Sequence, residues 1–156
     1  MSEQKNNESN SKLSLTIITP RGVKFEEEAD MIILRTIQGE MGILANHAPV
    51  TTILGDGVLR IMNNGFEKNL AVFGGVAEIS GNHIQILSTI AQRPDEIDIE
   101  RAEEDQIEAQ AAIQEEIDEQ MTRRLEVRQI RALIRLRVSQ TDFFEDDAED
   151  NNESDN

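Results

Sequence analysis

The spacing of apolar positions changes character once along this chain, near Pro94. Before it, apolar and polar residues tend to alternate; after it, they recur every three or four positions. In LSLTIIT (13–19), Leu13, Leu15 and Ile17 share one face, as in a strand with one side in a core. MIILRT (31–36) is a second β-rich run. GDGVLRIMNNGFEKNLAVF divides into two strands around Asn64-Gly65, a hairpin signal because both residues tolerate positive φ. VAEIS and HIQILS flank a further turn at Gly81-Asn82, and Arg21-Gly22 marks another. Strands at roughly 8–12-residue spacing predict an antiparallel sandwich or barrel. All nine glycines lie in this block, 13–91.

Residues 95–140 contain neither Gly nor Pro. Pro94, Asp95 and Asp98 supply helix-start chemistry, since a short carboxylate can accept from the free N–H groups of the first turn. Ile99, Ala102, Ala109 and Ile113 stand close to helical spacing, and Val127, Ile130, Ile134 and Val138 form an i, i+3, i+7, i+11 stripe. The block reads either as one rod of about 65 Å or as two antiparallel helices with a turn near 115–122, where Asp118 and Thr122 are the poorest helix formers.

Charge sharpens this picture. The chain carries a formal net charge of −16, yet RRLEVRQIRALIRLRV holds six arginines against one acid. The stretch 95–120 has twelve acids and one arginine. The two helical halves are therefore opposite in sign. Arg124, Arg128, Arg131 and Arg135 fall on one helical face. The plain reading is an antiparallel hairpin whose flanking charges pair, each exposed pair contributing only about 0.2–1 kcal/mol. The sharper reading is a basic face that recognises an acidic surface outside the domain, on a hairpin weak enough to open.

Composition removes several classes of function. There is no cysteine, hence no disulfide, no thiolate nucleophile and no thiolate metal site. MSEQKNNESNSK has no apolar core and does not read as a signal peptide, and no apolar run approaches the roughly 18–20 residues that span a bilayer. Five Phe with no Trp or Tyr argue against base- or sugar-stacking surfaces, and the overall charge repels nucleic acid. The expected partners are basic protein surfaces, or a small ligand that meets the arginines. In GEMGILANHAP (39–49), Glu40 and His47 could serve as acid and base. Seven positions separate them in a turn-rich stretch with no third orienting group, so catalytic and metal sites are not expected there. No phosphate-binding GKS or GKT loop and no nucleophile elbow occurs.

The order of parts is distinctive. GEMGILANHAPVTTILGDG is followed by FGGVAEI, then by ID-x-x-RA and a basic RALIRLRV ending. From about Leu13 to Gln140 this resembles the epsilon subunits of F-type ATP synthases. The resemblance implies a ten-stranded antiparallel β-sandwich over 13–92 and a two-helix hairpin over 93–140. The polar lead (1–12) and the acidic tail (141–156), expected to be disordered, lie outside it. It implies a non-catalytic rotor subunit of the central stalk, peripheral to the cytoplasmic face of a bacterial plasma membrane, with no insertion into the bilayer and no required cofactor. The sandwich would bind the gamma subunit and sit on the c-ring, with Glu40 and His47 as contact residues. The helices would extend into the catalytic head and hinder ATP hydrolysis, and Arg123, Arg124, Arg128, Arg131, Arg135 and Arg137 would meet the beta and alpha subunits. Some bacterial members bind ATP between the helices. Here Asp98 and Arg101 match the first half of that motif and Arg131 and Arg135 the second, while Gln92 stands where the family favours an acid. The alternative function is a nucleotide-sensing module using the same hairpin.

Overall fold

The computed structural model describes residues 11–141. Ten strands run in chain order: β1 (Leu13–Thr19), β2 (Gly22–Ala29), β3 (Met31–Thr36), β4 (Gly39–Leu44), β5 (Val50–Leu54), β6 (Gly57–Asn63), β7 (Phe66–Phe73), β8 (Gly75–Ser80), β9 (His83–Leu87) and β10 (Ile90–Gln92). A single 3₁₀ turn at Pro94–Glu96 leads into α1 (Ile99–Glu115) and α2 (Glu119–Ser139). The predicted lead and tail lie outside the described residues, apart from Ser11, Lys12 and Thr141.

The strands pair in the order β10-β7-β6-β3-β5-β8-β9-β1-β2, with β4 on β3. The sheet folds over a single apolar interior. Leu13, Leu15 and Ile17, placed on one face by the alternation, are fully buried there with Ile32, Ile43 and Ile86. Asn64 and Gly65 take positive φ, +51° and +82°, and close the β6–β7 hairpin.

The expectation of a wholly antiparallel sandwich needs one correction. β1 runs parallel to β9, with Leu15 opposite Ile84 and Ile17 opposite Ile86; the other pairings are antiparallel. β9 leaves a free edge after its hairpin with β8, and the first strand of the chain fills that edge in the same direction. Alternation specifies which face is buried and says nothing about strand direction. A second strand hidden from the pattern is β2, GVKFEEEA, whose acidic run masks it. It lies at the end of the pairing order, where charge is tolerated and discourages further strand addition. Lys24 is the extra residue at a bulge opposite Ile17 and Ile18, and its ammonium pairs with Glu96. Across the fold, Lys68 Nζ meets Glu27 Oε1 at 2.8 Å and ties β7 to β2.

The break between the helices falls at 116–118, inside the expected interval, and acids make it. Glu116 accepts from the N–H groups of Ile117 and Asp118, and the Asp118 carboxylate accepts from the N–H of Met121 at the start of α2. Asp98 caps α1 in the same way through the N–H of Arg101, 3.1 Å away. Arg128 on α2 reaches back to Asp105 and Glu108 on α1, so the helices are antiparallel.

Gly75 has the least freedom of any glycine in the fold. Its φ is +116°, and a Cβ there would lie 2.1 Å from the Leu87 carbonyl oxygen. Gly75→Ala is expected to cost at least about 2 kcal/mol through strain and forced displacement of β9. A lowered midpoint in chemical denaturation would show this; an unchanged midpoint would contradict the close approach of the two strands.

Candidate functional site

The hairpin rests on the sandwich through a small apolar contact. Ala71 and Phe73 of β7, Ile97 and Val138 of α2 are buried together, with Val58, Ile90 and Ile134 packed around them. Two arginines close over this contact. The Arg135 guanidinium lies 4.6 Å from the Phe73 ring centroid, and its Nε donates to Gln92 Oε1 at 2.8 Å. The Arg131 guanidinium lies 5.4 Å from the same ring, and its Nε donates to Asp56 Oδ2 at 2.7 Å. Cations over an aromatic face add attraction where water is partly excluded. Burial pushes the Arg135 pKa down; Asp105 and Asp56 oppose this, and the neighbouring charges of Arg131 and Arg101 reinforce it. It remains a cation all the same.

The seam between the helices differs from the apolar stripe the sequence suggested. Thr122, Leu125, Gln129, Ala132, Leu136 and Ser139 are half-buried or buried, a heptad-like spacing, and Ala102 and Ala109 are buried on α1. In the predicted stripe, only Ile134 and Val138 pack, and they face the sandwich. Val127 and Ile130 remain about half exposed. Alanine lets the helices approach closely but buries little surface, so the hairpin is lightly held.

The predicted arginine face is shared among three directions. Arg128 pairs with Asp105 at 2.6 Å and Glu108 at 3.0 Å, and these hydrogen bonds raise its pKa. Arg131 and Arg135 turn to the sandwich. Arg123 pairs with Glu119 one turn away on α2, both largely exposed. Arg124 and Arg137 are exposed, the latter beside a cleft between α2 and the sandwich. Arg101 stands near enough to Arg135 to repel it, so Arg101, Arg131 and Arg135 share one field. Asp98, at the start of α1, lines an open groove with Glu100, Arg101, Glu104, Asp105 and Glu108 and the α2 residue Arg128. Five carboxylates against two arginines make this outer groove unsuited to a polyphosphate. Any phosphate contact would have to use the sandwich-facing side of the arginines.

Glu40 and His47 are not brought together. Glu40 is exposed near the start of β4, and His47 follows the far end of that strand, its Nδ1 2.7 Å from the Ala48 carbonyl oxygen. Among the described residues, no group of three or more His, Asp or Glu side chains converges in a way that could hold a metal ion.

Sequence reasoning missed a surface. Strand register places Ile53 opposite Val76, Val76 opposite Leu87, Leu87 opposite Ile18, and Ile18 opposite Val23. These five side chains form one row across β5, β8, β9, β1 and β2, about 19 Å long at the usual strand spacing. Val23, Ile53 and Leu87 are 60, 56 and 50 % exposed. Ile37, 65 % exposed, extends the row through its N–H bond to the Ile53 carbonyl. A contiguous exposed apolar row of this kind marks a contact surface. The local signal was present in TIIT, TTIL and IQIL, where apolar residues fall on both faces of a strand.

Residues 12–94 match the beta-sandwich domain of the ATP synthase delta/epsilon chain family. ATP synthase epsilon chains align along most of the sequence. That of Symbiobacterium thermophilum is 40 % identical over 128 residues, covering 81 % of this chain and 92 % of its own length. That of Herpetosiphon aurantiacus is 35 % identical over 127 residues, covering 81 % and 93 %. A cryo-EM structure of the Euglena gracilis mitochondrial ATP synthase, comprising OSCP, F1 and the c-ring, contains a chain that superposes with a TM-score of 0.61. The two share 27 % identity over 82 % of this chain and 77 % of that one.

The Asp56–Arg131 contact is expected to carry much of the hairpin's hold on the sandwich. Asp56→Asn should loosen α2 by about 1 kcal/mol, within the range of a charge-assisted hydrogen bond. Hydrogen exchange should then speed up across α2 while β3, β6 and β9 keep their protection. Unchanged exchange in α2 would show that the apolar contact alone holds the hairpin.

Proposed function

This chain belongs to the delta/epsilon family of ATP synthase subunits, and from that membership we propose that it is a non-catalytic rotor subunit that links the gamma subunit to the c-ring and restrains ATP hydrolysis through its helices. The observation that carries the docking half of this reading is the exposed apolar row from Ile37 to Val23. It lies on the outer face of the sandwich, is built from rigid strands, and supports a broad contact such as the gamma subunit would make. Glu40, near the start of β4, and His47, in the turn that follows the strand, are the proposed contacts toward the ring and neighbouring subunits. The complex would place the chain at the cytoplasmic face of a bacterial plasma membrane, held there by protein contacts; among the described residues no helix is long and apolar enough to cross a membrane.

The regulatory half rests on how lightly the hairpin is held. A small apolar contact, two arginines over one ring and an alanine seam oppose its release. On extension, Arg128, Arg131 and Arg135 would exchange Asp105, Glu108, Asp56 and Gln92 for acidic segments of the beta and alpha subunits, alongside Arg123, Arg124 and Arg137. Opposite charge favours encounter and orientation more than affinity, so a switch of this kind stays reversible.

A catalytic complex depleted of this subunit is the place to test both halves. Full-length chain should bind and slow steady-state ATP hydrolysis. Ile53→Asp with Leu87→Asp should abolish binding. Arg124→Glu with Arg128→Glu should bind normally and lose most of the inhibition. Binding by the Ile53/Leu87 variant would remove the docking surface from the argument, and full inhibition by the Arg124/Arg128 variant would remove the arginine face.

The nearness of Arg131 and Arg101 to Arg135, whose charge both oppose, favours a second property, regulatory ATP binding with the hairpin docked. A polyphosphate at Arg131 and Arg135 would relieve that repulsion, and Asp98 could accept from the adenosine portion once freed from its cap. Affinity should be modest, because Asp56 and Gln92 already hold two of the arginines. Calorimetric titration of the chain with ATP should show binding that falls at least about tenfold, some 1.4 kcal/mol, in Arg135→Ala. Equal binding by the variant would place the nucleotide elsewhere.

A further inference from the structure

The cleft between α2 and the sandwich leaves exposed apolar surface beside two arginines that have no ion pair among the described residues. Ile130, Leu133 and Ile134 of α2 form one wall and Val58 of β6 the floor, with Arg35 and Arg137 on the rims. The cleft has a volume of about 430 Å³. Ile130 and Leu133 are 50 and 47 % exposed. Several charges along the cleft already have partners: Asp56 holds Arg131, and Arg60 forks onto Glu67 at 2.9 and 3.0 Å. Arg137 lies close enough to Glu67 to help depress its pKa, behind the stronger effect of Arg60. Glu40 is the other carboxylate lining the cleft. Arg35 and Arg137 make no ion pair among the described residues.

We propose that the acidic C-terminal segment, 142–156, docks back into this cleft, with Phe143 and Phe144 against Ile130, Leu133 and Val58 and its carboxylates on Arg35 and Arg137. The segment begins DFFEDD and carries eight acids and no base. It begins five residues after Arg137, which is itself a rim residue, and three after the end of α2 at Ser139. Fifteen residues reach at most about 50 Å, and the cleft extends only about 10 Å along α2 from Ile130 to Arg137. Tethering makes the local concentration of the segment high, so even a weak site fills. Two aromatic residues followed by a run of acids suit an aliphatic floor with basic rims better than they suit Arg123 and Arg124, which stand exposed about 10 Å beyond Ile130 along α2 with no apolar floor beside them.

The cleft exists only while α2 lies on the sandwich. An occupied cleft therefore favours the docked hairpin, and releasing the tail favours extension. That regulatory consequence rests on the rotor reading; the docking itself does not, and it is measured on the isolated chain. The protein has no cysteine, so Ser154→Cys accepts a single nitroxide label. Paramagnetic broadening should remove the methyl signals of Val58, Ile130 and Leu133 at low salt. The signals should return at high salt and in Arg35→Glu with Arg137→Glu; Arg137→Glu alone, at an exposed position, covers the case in which the double variant fails to fold. Broadening confined to residues next to Thr141, spread evenly over the surface, centred on Arg123 and Arg124, or indifferent to both salt and charge reversal would overturn the proposal.

Discussion

The contact of α2 with the end of β7 is the constraint on which the rest of this structure depends. Phe73 ends a strand whose last residues, Leu70 to Phe73, are all buried, because one side faces the sandwich interior and the other faces the hairpin. Val138 and Ile134 bring the helix to that second side, and Arg131 and Arg135 cover the ring from above. Remove this contact and the sandwich keeps its own core, while the hairpin retains the interhelical seam of Ala102, Ala109, Leu125, Ala132 and Leu136 and the Arg128 pairs. The two parts of the chain thus differ in how firmly they are held: the sandwich by a large apolar core, the hairpin by a small contact and half-exposed charge pairs.

Electrostatics shape the hairpin's hold. The chain is strongly negative overall, but six arginines lie on α2, and four of them (Arg123, Arg128, Arg131 and Arg135) find a carboxylate, an amide or a ring among the described residues. These pairs sit at half-exposed positions, where water and salt weaken them. Pairs of this kind hold the helices to the sandwich only lightly.

The sandwich carries two unlike surfaces. One face supports the helices through β6, β7 and the 3₁₀ turn. The other presents the apolar row across β5, β8, β9, β1 and β2. Because the row is set by cross-strand register, it stays flat and continuous whatever the hairpin does.

The sequence alone determined the local elements. Alternation placed Leu13, Leu15 and Ile17 in the core, Asn64-Gly65 closed a hairpin, Asp98 capped α1, and the acid-rich 115–122 interval held the break between helices. These follow from nearest-neighbour chemistry, namely side-chain periodicity, tolerance of positive φ and competition for free N–H groups. The motifs in GEMGILANHAP and RALIRLRV also pointed to the family. Tertiary structure decided the rest. The parallel β1–β9 pair joins strands nearly seventy residues apart, and periodicity carries no sign of direction. Ile53, Val76, Leu87, Ile18 and Val23 become one surface only through the registers of five strands. The arginine face was legible as a stripe, but its division among α1, Asp56, Gln92 and Phe73 was not. A helical pattern shows which residues share a side, while the partner of each is set by how the helix lies against a sheet that other parts of the chain build.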